Sequence, residues 1–592
     1  MSMDATATTT TVSTFSRITL WTEIREQSKV ALPSITSMIL YKIPWLISLG
    51  FVGTLFSSSE LASAALATTI CNVTGMSFAV GMNSALATLA GQSKGNIQAT
   101  KKQKQKKNKR PGPESKASDE TTPLIGGRKD GSINLEEPLQ PLIFMYRGMF
   151  VLGLVIVPIS VWWLVFGTKP FLLYLGQDIE IATMTQSYLR VLTPGLWFYS
   201  INWTMTFFCV SIGLADIPAY AAFVGCICHV PINLLLLKVF NLGYLGVGIG
   251  TVIFQFIQPI CMIYYMYYTT NGIHRVLCCI DPNYYDDDRQ RPENRSSLSF
   301  WPEVKQAICD LDGVKQYVYL AIPGIGSISE WWASETVIFL GGLMNPYPAL
   351  ALSGMTIYQS ILSTCFLFPY GLGTAGATRV SNELGHDNPT KAKYSAFINV
   401  LLSMTLGCVM CCILYFTPHT TLPSLFTSNN NVIVETASTI PLLAVYVLMD
   451  SIQISLSGII RGCGKQWIAM PVVIFSYWIV GVPLGYYIAF MQHGGSNDCH
   501  NGDEDNSVLL CGIIALVFGM TIGTMIHMIL LLVVVVGTTN WSVEAQRALE
   551  RVAAKNEKQQ EQLIRPENKE AEEEEEKERT DNGDSDHEFF EC

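Results

Sequence analysis

Twelve apolar runs, each long enough to cross a hydrocarbon layer about 30 Å thick, constrain this chain more than any other feature of it. They fall at roughly 31–56, 61–86, 143–166, 187–212, 217–239, 244–268, 316–342, 349–374, 392–416, 436–460, 468–491 and 508–537. Inside a bilayer no water satisfies the backbone, so a spanning segment must be a helix or part of a closed barrel, and runs of this length read as helices. Only 15% of the 592 residues are charged, against about 25% in soluble domains, so the embedded reading covers most of the chain. Pro and Gly inside several runs are compatible with it where neighbouring helices satisfy the freed backbone groups. The expected fold is an all-α polytopic membrane protein of twelve transmembrane helices.

Charge orders the segments between the runs. Residues 1–28 form a polar N-terminal segment without the basic start, apolar core and small-residue cleavage site of a signal peptide, so the first run acts as its own insertion signal. Residues 29–268 hold the first six runs, interrupted at 97–140 by a polar, Pro- and Gly-containing insertion that reads as flexible. The KKQKQKK run at Lys101 to Lys107 marks that insertion as cytosolic. An even number of spans then places both termini in the cytosol. The opposite loops hold little positive charge: Lys169, Lys238 and Arg190 at a helix end, with no Lys or Arg in 418–435 or 492–507. Residues 269–312 form an acidic, Tyr-rich cytosolic loop between the halves, 313–540 hold the last six runs, and 541–592 form a charged cytosolic tail, helical at first and then largely disordered.

The insertion also carries DETTPLI, in which Glu120 stands four residues before Leu124 and Ile125. That pattern is similar to acidic dileucine signals read by sorting adaptors, and it favours a vacuolar or lysosomal membrane over the plasma membrane. Sixteen cysteines show no zinc-like pairing. Most sit in apolar runs as packing residues, whereas Cys499 and Cys511 flank a polar loop and would pair if it faces an oxidising lumen. Cys278 and Cys279 are juxtamembrane candidates for palmitoylation. No metal, organic cofactor or nucleic acid is expected; the partners are the bilayer, a small-molecule substrate and a sorting adaptor, and the chain is expected to act as a monomer.

The halves repeat. A shift of 290 residues aligns Ala31 with Ala321, Pro33 with Pro323, Ile35 with Ile325, Gly81 with Gly371, Thr88 with Thr378 and Gly95 with Gly385, without a gap. Six spans per half give both copies the same orientation, related by an axis along the membrane normal. The shift isolates the exceptions: Glu330 falls opposite Leu40, and Glu335 opposite Trp45.

Those acids lie in SISEWWASETVIFLGG, Ser327 to Gly342. A charge at the centre of a membrane helix costs about 2.5–3.5 kcal/mol on insertion scales, so two acids here point to a polar pathway. Helical spacing puts Trp331 and Trp332 on one face with Glu335, offering a cation both a carboxylate and π-surfaces, while Glu330 faces elsewhere. Glu335 is therefore the leading candidate for coupling. Asp450, midway through the tenth run, is a third intramembrane carboxylate of the same half. Tyr358 and Gln359 inside the eighth run, and Lys42 near the middle of the first, complete the candidate cleft. His229 and His527 read as hydrogen-bonded packing residues and are left out of it.

At these residues the sequence resembles the multidrug and toxic compound extrusion (MATE) family of secondary transporters. The resemblance covers about 29–540 minus the insertion, carried by ALATLAGQSKGN from Ala85, EWWASE from Glu330, PYGLGTAGATRVSNELG from Pro369 and GIIRGCGKQ from Gly458. It implies a V-shaped fold of two six-helix lobes around a central cleft. It further implies cation-coupled export, with Glu330, Glu335 and Asp450 binding protons and cationic substrate. Two departures stand out. Position 359 is Gln where some eukaryotic members place Glu, which weakens a preference for dications. The first helix lacks the Asp of bacterial members and has Lys42 nearby, which argues against coupling in the first lobe.

The function expected on these grounds is proton-coupled antiport, with Na⁺ as the alternative ion, exporting organic cations or other amphiphilic compounds by alternating access. Organic-anion export and lipid-linked oligosaccharide flipping are the alternatives within the superfamily. A membrane-embedded enzyme or a scaffold is a remote one, since no Ser/His/Asp set and no metal-spaced His or Cys pair occurs within a span.

Overall fold

The computed structural model describes residues 20–108, 139–174, 177–280, 301–497 and 510–552. The sorting motif at Glu120, Leu124 and Ile125, the residue Cys499 and the acidic run of the tail lie outside the described residues. Among the described residues, twelve long helical rods form two sets: α1 (Leu20–Leu55), α2 (Ser59–Lys102), α3 (Gln140–Val165), α4 (Ile179–Ser211), α5 (Asp216–Val239) and α6 (Gly243–Tyr268) make up the first. The second comprises α7 (Leu311–Ser327, resuming as Ser329–Gly341), α8 (Pro348–Gly385), α9 (Pro389–Phe416), α10 (Ile440–Cys463), α11 (Gln466–Gln492) and α12 (Ile513–Gly537). Ten are long and apolar enough to span a membrane by composition alone. The others are α4, diluted by Ser, Thr and Asn, and α7, which is broken.

Several rods outrun the apolar stretches that announce them. α1 begins at Leu20, not near 31, and its first turns carry Glu23, Glu26 and Lys29. These extensions hold the lobes together. Arg379 of α8 donates from Nε to Glu23 Oε1 at 3.1 Å and from Nη2 to Glu23 Oε2 at 2.9 Å. It also pairs with Glu383 at 3.2 Å, and Lys391 reaches Glu383 at 2.6 Å. Gln27 donates to the carbonyl of Ser395 at 2.8 Å and accepts from Asn399 at 3.0 Å. The first half of α1 thus packs on the second lobe. The first half of α7 does the converse, with the Tyr317 hydroxyl donating to the carbonyl of Met82 and Arg147 of α3 pairing with Asp310 at 2.9 Å.

The repeat is legible in atomic packing. Gly81 lies against Ile325, and its repeat mate Gly371 lies against Ile35, the mate of Ile325. A Cβ on Gly95 would sit 2.2 Å from the carbonyl oxygen of Asn382, and one on Gly385 would sit 2.1 Å from that of Gln92. Gln92 and Asn382 are themselves 290 apart, so each contact is the other's image. Glycine is required at both positions because backbone meets backbone.

A last helix, α13 (residues 541–552), follows α12. Ala545 and Ala548 are fully buried, and Glu544 forms a buried ion pair with Lys465 at 3.2 Å. Arg551 donates to Gln92 Oε1 in the first lobe at 3.2 Å and to the carbonyl of Cys463 in the second at 3.0 Å. Inter-lobe hydrogen bonds run from this side, where α1 begins, up to Trp332–Ser77.

Candidate functional site

The site begins with the break in α7. Pro323 removes one backbone donor, and Gly324 and Gly326 lie against Gly81 and Met470 too closely for side chains. The helix stops at Ser327 and restarts at Ser329, so Glu330 falls in a first turn. Backbone N–H groups there lack intrahelical partners, and the helix dipole favours a negative charge.

Three helices converge on Glu330. The Tyr477 hydroxyl (α11) donates to Oε1 at 2.9 Å, and Gln453 Nε2 (α10) donates to Oε2 at 3.4 Å. His527 Nδ1 (α12) lies 3.9 Å from Oε2. Tyr477 also pairs with Thr524 at 2.9 Å, and its ring meets that of His527 edge-on at 5.5 Å. Asp450 lies three residues before Gln453 on α10, on the same helix face. It is 2% exposed, and its Oδ1 has no hydrogen-bond partner. Buried polar atoms without partners are rare and costly. Tyr358 and Gln359 line a cavity with Ser334, Met355, Tyr446 and Met520, and the Tyr358 hydroxyl is also without a partner.

Glu335 occupies a different place. It accepts from Trp331 Nε1 at 3.3 Å, as their spacing of four predicts, and Lys42 of α1 is the nearby basic group whose charge acts on it. Trp332 does not join this pair: its Nε1 donates to Ser77 Oγ at 3.2 Å, and its ring packs on Phe78 at 6.0 Å. Helical spacing placed both indoles beside Glu335, but the contact with α2 turns the second one into a bridge between lobes.

The structure therefore divides the predicted residues into a Glu330–Asp450 group with Tyr358 and Gln359 nearby, and a Glu335–Trp331–Lys42 group. It adds Gln453, Tyr477, Thr524 and His527. His527 was assigned to packing on sequence grounds and instead faces Glu330; a histidine within an apolar run was the available signal. His229 does behave as a packing residue, bonded to Ser48 at 3.0 Å and Asn233 at 3.1 Å.

With this arrangement in view, comparison with known proteins is informative. A sequence model of the MatE family matches residues 33–105, 143–235 and 324–487. Protein DETOXIFICATION 16 of Arabidopsis thaliana is 27% identical over 531 residues, covering 90% of this chain and 91% of the relative. Protein DETOXIFICATION 12 of the same plant is 28% identical over 546 residues, covering 90% and 94%. Among solved structures, the eukaryotic MATE transporter AtDTX14 superposes with a TM-score of 0.69 at 24% identity, covering 90% of this chain and 99% of that one. A MOP superfamily transporter from Pyrococcus furiosus gives 0.60 at 14% identity, covering 90% and 96%. The two six-helix lobes are thus the V-shaped arrangement of these transporters. An integral, multi-pass chain matched over more than half its length by the family model, this protein belongs to the MATE family of membrane transporters and is not an enzyme.

Proposed function

We propose that the protein is a proton-coupled antiporter that exports organic cations or other amphiphilic compounds, with Glu330 and Asp450 as the coupling pair. The observation that carries this reading is the buried, unpartnered Oδ1 of Asp450, one helical turn from Gln453, which donates to the Glu330 carboxylate. Two carboxylates in one low-dielectric pocket cannot both ionise cheaply, so the pair holds a proton between them and titrates as a unit. A cation entering the pocket favours the fully ionised form and expels the proton; a proton arriving from the acidic side expels the cation. Glu335 and Trp331 offer the cation a carboxylate and a π-face on its way across the cleft. Lobe rocking about the glycine contacts supplies alternating access.

With both termini in the cytosol, the Arg379–Glu23 and α13 contacts seal the cytosolic side. The acids then face the lumen, where substrate leaves and protons enter.

The deciding experiment is uptake into proteoliposomes under an imposed pH or Na⁺ gradient, with a panel of cations and anions. Uptake of a cationic dye driven by ΔpH is expected; uptake driven by Na⁺ alone overturns the coupling ion, and uptake of anions only overturns the substrate class. Compartment is tested separately: replacing Leu124 and Ile125 with Ala should move a fluorescent fusion from an acidic vacuolar or lysosomal membrane to the cell surface. An unchanged distribution removes the sorting signal and leaves transport intact.

A further inference from the structure

A second cavity lies between the lobes on the side where α1 begins, walled by α1, α4, α8 and α10. Arg461, from the GIIRGCGKQ motif, is the only charged residue lining it, and among the described residues it makes no ion pair. Its guanidinium lies 5.9 Å from the Tyr370 ring centroid. Two further residues of the lining, Tyr370, 8% exposed, and Ser34, 3% exposed, carry buried hydroxyls without hydrogen-bond partners. The remainder of the wall includes Trp203 and Phe207.

Every other described arginine buried to a similar degree has an evident structural role: Arg147 holds Asp310, Arg379 holds Glu23, and Arg551 holds Gln92 and the carbonyl of Cys463. Arg461 holds nothing of the kind. Arginine presents up to five N–H donors in a planar fork that matches a carboxylate, and it carries its charge throughout the accessible pH range. Three donor groups of which one is cationic, with no acidic residue on the wall, describe a receptor for an anion. The indole and phenyl faces beside them suit an apolar body attached to that anion.

We propose that this cavity is an anion subsite that binds organic acids through their carboxylate, with Arg461 as the charge partner and Tyr370 and Ser34 as hydrogen-bond donors. It is separate from the Glu330–Asp450 pocket and does not depend on which ion drives transport. Its walls belong to both lobes, so its dimensions change as the lobes rock, and occupancy by an acid is coupled to the lobe equilibrium.

The test uses the full chain purified in detergent, with 1-naphthoate as the probe and neutral 1-naphthamide as its uncharged match, followed by calorimetry. The wild type should prefer the carboxylate by about tenfold or more, as a charge-assisted contact requires. Arg461→Gln should abolish that preference, and Arg461→Lys should restore part of it. Tyr370→Phe, which keeps the ring and the fold, should weaken naphthoate binding by about threefold and leave naphthamide binding unchanged. Equal affinity of the wild type for the two probes overturns the proposal. So does a Tyr370→Phe protein with unaltered naphthoate affinity, even where the Arg461 variants fail to fold.

Discussion

The two lobes share a backbone plan down to individual contacts and differ in the charge of their interiors. Gly81 on Ile325 and Gly371 on Ile35 are the same contact made twice. Inside the first lobe, His229, Ser48, Thr251 and Asn233 form a neutral network, with Tyr41 packed edge-on among Tyr199 and Trp203. Inside the second, Glu330 and Asp450 stand among Gln453, Tyr477 and His527. The first network contains no carboxylate, whereas two carboxylates in a low-dielectric interior are groups whose protonation an entering cation would shift. What the lobes share sets the frame of the molecule, and what they do not share sets its chemistry.

The sharpest way to break this contrast is a matched pair of substitutions. Glu330→Gln preserves shape and removes the titratable group, so ΔpH-driven cation export should fall by about 100-fold or more, to background in proteoliposomes. His229→Gln in the first lobe, which can still bond Ser48, should leave export within about threefold of wild type. The opposite ranking would move coupling into the first lobe.

Asp450→Asn should come next in size. Cation binding by the wild type in weakly buffered detergent should release protons measurable with a pH dye, and this variant should release fewer. Residues that act as one unit are non-additive. Glu330→Gln combined with Asp450→Asn should therefore transport no worse than Glu330→Gln alone. A double variant whose losses simply multiply would separate the two acids into independent sites.

How much of this was legible in the chain follows the same division. The repeat frame was open to inspection because its signals are local: apolar length, and glycines recurring at a fixed shift. The acids were equally visible, since a carboxylate in an apolar run is costly wherever it points. Their grouping was not. Helical spacing binds Trp331 to Glu335, and that contact formed. It carries no information on which of two acids meets Asp450, because that depends on the break at Ser327–Ser329 and on how α10, α11 and α12 pack. Tyr477 and Thr524 were hidden for the same reason: each is an ordinary polar residue in an apolar run until Glu330 arrives from about 150–190 positions away. Helix α13 was missed as a packed element because its buried face rests on only a few small residues, Ala545 and Ala548 among them, and hydropathy registers its charges instead.

The shared frame makes its own prediction, of intermediate size. Arg379→Gln leaves the carboxylate of Glu23, 1% exposed, without its bidentate partner. Stranding a buried charge costs about 3–5 kcal/mol, and opening that side relieves the cost by admitting water. Spin labels on opposite lobes at the ends of α1 and α9 should report longer distances in the variant, with transport reduced but still coupled to protons. Unchanged distances would mean that the glycine contacts alone hold this side shut.

The smallest expected effect concerns Trp332, an aromatic of α7 that reaches across to α2. Trp332 contributes a hydrogen bond to Ser77 and ring contact with Phe78. Trp332→Phe removes the first and keeps most of the second. A neutral hydrogen bond is worth about 1 kcal/mol net, so cation export should change by less than about tenfold and remain driven by ΔpH. Ser77→Ala should reproduce whatever change occurs, and combining the two should add nothing, because both remove one bond. If Trp332 instead contacts the transported cation, its π-surface is what matters. Ser77→Ala would then be silent, while Trp332→Phe would weaken cationic dyes and leave neutral ones unaffected. That result would return Trp332 to the side of Glu335, where helical spacing first placed it, and make the cleft wall of the second lobe aromatic as well as acidic.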